Sequence, residues 1–333
     1  MKRQHWISIG LAAGLVLAIT PLVAFESPWA TLLGRTVQDF GHIPLFGAIT
    51  TLLLLLGAHW FKARLGPGAQ YAGAFGSALI LGVATEWVQM IGPRDADLWD
   101  LARNGVGAAL ALVWWGSFDR RLDGAAIRRA GSRVAFRCVA VVIVLAFLAP
   151  LIGVVNAYRE RASRFPVLFS FETMSQARFM NTRLAWYEFA PAPDAWDIDP
   201  PERVAHISFS PLKGGALVFN EPYPNWTGHT ALVFELFHPG ARTIEVGLRV
   251  DDGIRSLLHG DRFNRHLFLE PGLNRLRVSI EEIVAGPAER ELDISSIERI
   301  ILYAVDPIGG YEIYLGPVLL EADETVISLT SPD

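Results

Sequence analysis

The sequence predicts two parts: an α-helical transmembrane bundle of five spans, followed by an all-β sandwich. In the first half, near-uninterrupted apolar runs recur, each close to the ~20 residues that a membrane-spanning helix needs. In the second half, short runs alternate between apolar and polar residues and end at turn residues. The 333 residues are 51% hydrophobic with a net charge of −5. We therefore expect no nucleic-acid partner, since such partners bind basic surfaces.

The apolar runs place five spans in a helical domain of residues 1–157. The spans cover about 6–25, 43–61, 71–91, 98–116 and 134–156. The first has a basic start, as a signal peptide does, but its apolar stretch is long and no small-residue cleavage site follows it. We therefore expect a retained anchor. The single cysteine, Cys138, lies in the fifth span and is expected to be a small core residue.

Lysine and arginine in the short connections predict the orientation of these spans. Nine basic residues lie on one side of the predicted bundle: Lys2, Arg3, Lys62, Arg64, Arg120, Arg121, Arg128, Arg129 and Arg133. The opposite short loops hold only Arg35 and Arg94. Basic loops stay in the cytoplasm. We therefore expect a multi-pass protein of the cytoplasmic (inner) membrane, with a cytoplasmic N-terminus and an extracytoplasmic C-terminal domain.

Polar residues interrupt the apolar pattern at one end of the predicted helices. They are Asp39, His42, Glu86, Gln89, Arg94, Asp97, Asp100 and Asn104. Helical spacing puts Glu86 and Gln89 on one face, and Asp97, Asp100 and Asn104 on another. Such groups are costly in lipid and usually mark a site. In the predicted topology they converge near the outer surface, as a pocket for a lipid head group.

A structural role explains the same residues. Asp97 or Asp100 would cap the fourth helix, Arg94 would pair with Glu86, and Asn104 would bond across helices. A metal site formed by His42, Glu86 and either aspartate is a further alternative, although no recognised ligand spacing supports it.

The polar residues also resemble those of a known family. The segments GHIPLF, ATEWVQMIGPRDADLWD and DLARNGVGAALAL are similar to VanZ-like membrane proteins. That family is typified by Glu-x-x-Gln, an Arg, an Asp six residues on, an Asn four further and a Gly three further. The matching residues are Glu86, Gln89, Arg94, Asp100, Asn104 and Gly107. The resemblance covers about residues 1–120 and implies an association with glycopeptide resistance, without an agreed reaction.

From about Phe165 onward the chain predicts an antiparallel β-sandwich over residues 165–325. The predicted strands are PVLFSFE, LAWYEFA, VAHISFS, GALVFN, ALVFELF, TIEVGLRV, HLFLE, LNRLRVSI, ERIILYAV and EIYLGPVLL. The only helical segment expected there is a turn near Glu281 to Val284.

Two groups in this half are candidate sites. Trp196, Tyr223 and Trp226 lie in Pro-rich loop sequence and are candidates for stacking on glycans, with capping of the sandwich core as the alternative. Asp251, Asp252, Asp261 and Arg262 form a polar cluster around a loop. We expect that cluster to stabilise a turn, with a cation or ligand site as the alternative.

The segments RVDDG, GDRFNRHLFLEPGLNRLRVSI, RELDISSIERIILY and IYLGPVLL resemble carbohydrate-binding-like jelly rolls related to the complex I intermediate-associated protein family. This resemblance implies a galactose-binding-like jelly roll. It also implies a structural calcium near the first and last strands, which points to Glu172. No other cofactor is expected.

These observations lead to one hypothesis and one alternative. In the hypothesis, the outer-leaflet pocket binds an envelope lipid or a lipid-linked glycan precursor, and the sandwich recognises glycan. Whether that lipid is modified or moved is left open, since the sequence holds no nucleophile–base pair or phosphate loop. In the alternative, the helices are only a scaffold for a carbohydrate-binding or assembly module. A transporter is disfavoured because no polar track crosses the helices. The oligomeric state is not predicted.

Overall fold

The computed structural model describes residues 2–24, 31–61, 64–89, 98–122, 130–196, 200–254, 260–307 and 309–322. The chain forms two compact units, Met1–Gly153 and Val154–Asp333. The division falls a few residues before the end of the helical domain predicted over residues 1–157, and 11 residues before Phe165.

The first unit is helical. Its helices are α1 (Lys2–Ala24), α2 (Leu32–Trp60), α3 (Pro67–Gln89), α4 (Leu98–Gly116) and α5 (Ala130–Arg164), of which the last continues into the second unit. Each coincides with a predicted span. Helix α2 begins 11 residues before the predicted span at 43, because Thr31 caps it by accepting a hydrogen bond from the Gly34 amide at 3.1 Å.

Three of these helices are long and apolar enough to cross a membrane: Leu32–Trp60, Pro67–Val88 and Arg133–Arg164. The predicted number of five spans is therefore not confirmed. In α1 the apolar stretch His5–Thr20 is shorter. In α4 the charged residues Asp100 and Arg103 and the amide of Asn104 lower the hydropathy of a helix of only 19 residues.

Helix α2 is the centre of the helical unit, since α1, α3 and α4 all pack against it. Phe46 and Ile49 of α2 are fully buried, and Ile19 of α1 and Leu81 of α3 lie against them. Cys138 of α5 is exposed. The expectation that it is a core residue is wrong, because α5 turns this face away from its neighbours.

The second unit is an antiparallel β-sandwich of two sheets. One sheet has the order β3 (Ala185–Ala190), β4 (Val204–Phe209), β11 (Tyr311–Ala322), β6 (His229–His238) and β9 (Gly272–Ser279), and β1 (Val167–Phe169) also pairs with β11. The other has the order β2 (Met180–Arg183), β5 (Ala216–Asn220), β10 (Ile297–Ala304), β7 (Ile244–Asp252) and β8 (Phe263–Leu269).

The predicted sandwich is thus confirmed, and ten of the eleven strands in the described part of the chain coincide with predicted runs. Apolar residues at alternate strand positions fill the space between the sheets. In β4, for example, Ile207 and Phe209 are buried while His206 and Ser208 face outward. The predicted helical turn is present as α6 (Ile280–Val284), which Ser279 caps. The strand that the alternation pattern misses is β2, whose sequence MNTR is exposed at three of its four residues.

The last part of α5 belongs to the sandwich unit. Tyr158 donates a hydrogen bond to the carboxylate of Glu221, and Arg161 donates to the backbone carbonyl of Glu221. The Tyr158 ring also packs edge-on against Phe179, with ring centroids 5.1 Å apart. Residues 154–164 are therefore a structural part of this unit and not a linker.

Candidate functional site

The polar residues of the helical unit meet where α2 and α4 begin and α3 ends. His42 of α2 is buried, and its Nδ1 lies 2.9 Å from Oδ1 of Asn104 on α4, which is 0% exposed. Because an amide oxygen only accepts, Nδ1 carries a proton and donates it. The other ring nitrogen, Nε2, lies 3.6 Å from Oδ2 of Asp100.

A chain of ion pairs continues from this histidine. Arg103 donates through Nη1 to Oδ1 of Asp100, one helical turn away. Through Nη2 it reaches Oδ2 of Asp39 on α2, at 3.3 Å. Each Arg103 branch therefore holds one carboxylate, which fixes Asp100 with one oxygen on the guanidinium and the other facing His42.

Glu86 of α3 completes the group. It is buried, and one ligand atom from each of His42, Glu86 and Asp100 lies within 4.8 Å of the other two. In the part of the chain that the structure describes, this is the one group of three such side chains close enough to hold a metal ion. The site thus combines an imidazole, carboxylates and a guanidinium in an apolar bundle.

Of the eight residues predicted for this cluster, the structure brings five together: Asp39, His42, Glu86, Asp100 and Asn104. Arg94 and Asp97 lie outside the described residues, as does the side chain of Gln89. Arg103 is a further member of the cluster. Its position three residues after Asp100 agrees with this contact, since side chains at this spacing meet on a helix.

An apolar groove adjoins the polar cluster. It lies between α2, α4 and α5, has a volume of about 440 Å³ and begins beside His42 at Ile43. Its walls include Phe40, Ala111, Trp115 and Leu145. The groove and the cluster together offer one apolar and one polar surface side by side.

The loop tryptophans of the sandwich are part of its core. Trp196 is 1% exposed and packs against Val204 and Phe237, and Trp226 is 0% exposed, with its Nε1 donating to the Tyr223 carbonyl at 2.8 Å. The prediction that these rings are exposed for stacking on glycans is wrong, because both rings are buried. Tyr223 is half-buried, and its ring lies against Phe165 with centroids 4.1 Å apart.

A different tryptophan is available at the surface. Trp186 of β3 is 54% exposed. It lies in a groove of about 630 Å³ that is also lined by Ser208, Ser210, Tyr311 and Glu312. The strand register places Trp186, Ser208 and Glu312 side by side across β3, β4 and β11. The groove thus combines one exposed aromatic ring with hydroxyl and carboxylate groups.

The neighbouring row of side chains holds the carboxylates in place. His206 lies between two glutamates, with Nδ1 3.4 Å from Oε1 of Glu188 and Nε2 3.3 Å from Oε2 of Glu312. The imidazole stacks on Tyr314 with ring centroids 4.4 Å apart. The sequence contained a signal for this face: in LAWYEFA, alternation puts Trp186 and Glu188 on the side opposite Tyr187.

The remaining predicted sites are occupied by ion pairs. Glu172, the calcium candidate, bonds to Nη1 of Arg164 at 2.6 Å, and the calcium site stays a prediction. In the aspartate cluster, Asp251 pairs with Arg249, and both Asp252 and Asp261 pair with Arg290. These contacts are those expected of a cluster that stabilises turns.

Comparison with known proteins gives no family for this chain. No family model matches it, and no curated protein matches it. Solved structures match over about half of it. A family 11 carbohydrate-binding module from Clostridium thermocellum, solved with a β-1,3-1,4-mixed-linked tetrasaccharide, is 11% identical with a TM-score of 0.38, over 47% of this chain and 94% of that one.

Two other solved structures show the same level of similarity. The CBM22-2 xylan-binding domain from Paenibacillus barcinonensis Xyn10C is 13% identical with a TM-score of 0.32, over 47% of this chain and 98% of that one. An exo-β-agarase is 14% identical with a TM-score of 0.38, and the match spans 47% of this chain but only 25% of the agarase. Similarity at this level carries no argument about function.

Proposed function

We propose that this protein is a membrane-anchored glycan-binding protein whose sandwich holds a neutral glycan in the groove at Trp186. The observation that carries the proposal is the half-exposed indole of Trp186 in a groove lined by Ser208, Ser210 and Glu312. The anchor is supplied by the three helices that are long and apolar enough to span a membrane.

The groove has the chemistry that a sugar ring requires. One face of a pyranose presents C–H groups, which an aromatic ring covers well, while its rim carries hydroxyl groups that need hydrogen-bond partners. The Trp186 ring supplies the first surface. The Glu312 carboxylate accepts hydrogen bonds from hydroxyls, and the serine hydroxyls both donate and accept.

The charge of the groove favours a neutral ligand. Glu188 and Glu312 flank His206, and each of these two side chains is 51% exposed. An acidic glycan would bring a further negative charge to this pair, and like charges repel. A neutral polysaccharide carries no such penalty.

The test is binding of the purified full-length protein in detergent to soluble neutral polysaccharides, measured by affinity electrophoresis. We expect Trp186→Ala to weaken binding at least tenfold. Phe268→Ala is the matched control, since Phe268 is an aromatic residue 66% exposed on the other sheet. The proposal is overturned if the parent binds none of a broad polysaccharide panel, or if Trp186→Ala binds as the parent does.

A second candidate function is supported by the groove of the helical unit. An amphiphile would place its acyl chain along Phe40, Ala111 and Leu145 and its head group at the polar cluster. This agrees with the resemblance to VanZ-like proteins and with an envelope lipid or lipid-linked glycan precursor as ligand. The site would face the outer leaflet in the predicted topology.

Native mass spectrometry tests this second candidate. The purified parent should retain a lipid, and Ala111→Phe should lose it because the added ring fills the groove. Leu17→Phe, at a position 73% exposed on α1, is the control and should keep the lipid. A parent without lipid, or equal retention in both variants, would remove the support for lipid binding.

A further inference from the structure

We propose that a groove between α3, α4 and α5 binds an anionic phospholipid, with an acyl chain inside the groove and the phosphate at Arg137. The groove has a volume of about 290 Å³. It is a different cavity from the groove at Ala111, which lies between α2, α4 and α5. Neither the glycan-binding function nor the polar cluster at His42 involves it.

The walls of this groove suit an acyl chain. Phe75 of α3, Leu112 of α4 and Phe136 of α5 line its apolar part. The polar side chains among its described lining residues are Tyr71 and Ser117. Helices α3 and α5 are two of the three that are long and apolar enough to span a membrane. A space with so few polar partners does not hold ordered water well, whereas a lipid chain fills it without loss of hydrogen bonds.

An arginine lies at the polar end of the groove. Arg137 of α5 donates from Nε to the Ser117 hydroxyl at 3.1 Å and from Nη2 to the Ser117 carbonyl at 3.4 Å. Its guanidinium also lies over the Phe118 ring, 4.0 Å from the centroid. All of these partners are neutral, and no carboxylate in the described part of the chain pairs with Arg137. The guanidinium is thus fixed at the groove wall while its charge is not neutralised.

The acidic group closest in sequence to this wall already has a partner. Asp119 binds Arg121 through both carboxylate oxygens, at 3.0 and 2.8 Å. Its Oδ2 also accepts a hydrogen bond from the Tyr71 hydroxyl at 3.3 Å, which joins the pair to the groove. Arg120 begins the same short turn, and its side chain is exposed. Asp119 therefore neutralises Arg121, and Arg120 and Arg137 give this end of the helical unit a positive charge.

A phospholipid matches both surfaces. Its acyl chain is apolar, and its phosphate accepts charge-assisted hydrogen bonds from a guanidinium. Basic pockets between transmembrane helices on the cytoplasmic side bind anionic head groups, and the cytoplasmic leaflet carries anionic lipids. In the topology that the basic loops predict, the beginnings of α3 and α5 and the end of α4 are cytoplasmic. An anionic lipid is favoured over a zwitterionic one, since Arg137 would repel a choline group.

Lipid titration tests the site. The full-length protein, purified and delipidated in detergent, is titrated with phosphatidylglycerol and with phosphatidylcholine of the same acyl chains, and bound lipid is measured by native mass spectrometry. We expect phosphatidylglycerol to bind at least tenfold more tightly. Excess inorganic phosphate should not displace it, because phosphate has no acyl chain. A parent that binds the two lipids equally, or that exchanges phosphatidylglycerol for phosphate, overturns the proposal.

Charge variants test the head-group contact. Arg137→Gln should reduce the preference for phosphatidylglycerol at least fivefold, and Arg137→Lys should keep most of it. Arg64→Gln is the matched control, because it removes an exposed arginine from the same predicted side of the membrane, and it should keep the full preference. An unchanged preference in Arg137→Gln would show that Arg137 only joins α5 to Ser117, and would overturn the proposal.

A filled groove tests the acyl-chain contact. Ala72 lines the groove, and Ala72→Phe should weaken the binding of phosphatidylglycerol at least tenfold. Ala111→Phe is the control, since it fills the other groove, and it should keep the preference of the parent. Parent-like binding by Ala72→Phe would place the lipid elsewhere and overturn the proposal. The thermal melt of each variant confirms folding, and the lipid preference of the parent decides the matter if a variant fails to fold.

Discussion

Gly107 of α4 packs directly against the backbone carbonyl of Ile43 of α2, with no room for a side chain between the two helices. The approach places Asn104, one turn earlier on α4, within hydrogen-bond distance of His42 on α2. A glycine at this position is thus required for the polar cluster, because a larger distance between α2 and α4 would separate His42 from Asn104.

We predict that Gly107→Ala destabilises the helical unit. Its methyl group would overlap the Ile43 backbone, and overpacking against backbone costs about 1–3 kcal/mol. The melting temperature in detergent should fall. Gly105→Ala is the control, since its methyl group would meet only the Leu79 side chain at 3.5 Å, an ordinary contact. Equal melting temperatures for the two variants would contradict the close approach.

The sandwich should need the end of α5 for full stability. A fragment of residues 154–333 should melt cooperatively and at a higher temperature than one of residues 165–333, which lacks Tyr158 and Arg161. Arg161 lies over the Phe179 ring at 5.4 Å and also bonds to Glu221. Its loss should cost about 1–3 kcal/mol.

Within the longer fragment, Arg161→Ala should therefore lower the melting temperature, while Arg159→Ala, at an exposed position two residues away, should leave it unchanged. Equal melting of the two fragments would move the boundary of the unit to Phe165.

The sandwich should lose stability in alkali through Tyr311. Burial raises the pKa of Tyr311 to about 12, and its hydroxyl donates to the Glu245 carbonyl at 3.0 Å. An unfolded tyrosine loses its proton near pH 10. Between pH 10 and 12 the unfolded chain therefore loses this proton before the folded chain does, and the free energy of unfolding falls by up to about 2–3 kcal/mol.

The measurement is denaturant unfolding from pH 8 to 12 for the parent and for Tyr311→Phe. The difference between the two curves isolates Tyr311 from other tyrosines. The decline should be shallower in the variant, and parallel curves would refute the assignment.

The orientation of the helices is a prediction that labelling can check. In a Cys138→Ser background, a cysteine introduced at Ala69 should resist an impermeant thiol reagent in intact cells, because the segment from Lys62 to Gln70 is predicted to be cytoplasmic. A cysteine at Ala96 should react. Labelling of Ala69 alone would reverse the topology and place the sandwich in the cytoplasm.

Local patterns in the sequence predict most of this fold and part of its sites. Period-two alternation identified ten strands, but β2 escaped because MNTR has no apolar alternation and lies at a sheet edge. Helical spacing placed Asp100 and Asn104 on one face of α4. What spacing could not give was the distance between helices, which depends on the contact of Gly107 with Ile43.

The tryptophans show the other limit of sequence reasoning. Trp196 and Trp226 were assigned to loops correctly, but a loop sequence does not reveal whether the loop covers the core. Trp186 lies inside a strand, and only the register with Ser208 and Glu312 shows that it shares a groove with polar groups.

The position of β11 gives the sandwich a fixed order of assembly during synthesis. This last described strand lies in the middle of its sheet, between β4 and β6. It also pairs with β1, as in Val167 with Leu319, although most of the unit's sequence separates these two strands. Until the ribosome has released it, the pairs β3–β4 and β6–β9 have open edges and no common sheet. A chain that stops before Tyr311 therefore lacks the strand that joins the two pairs, and the edges that β11 covers stay open.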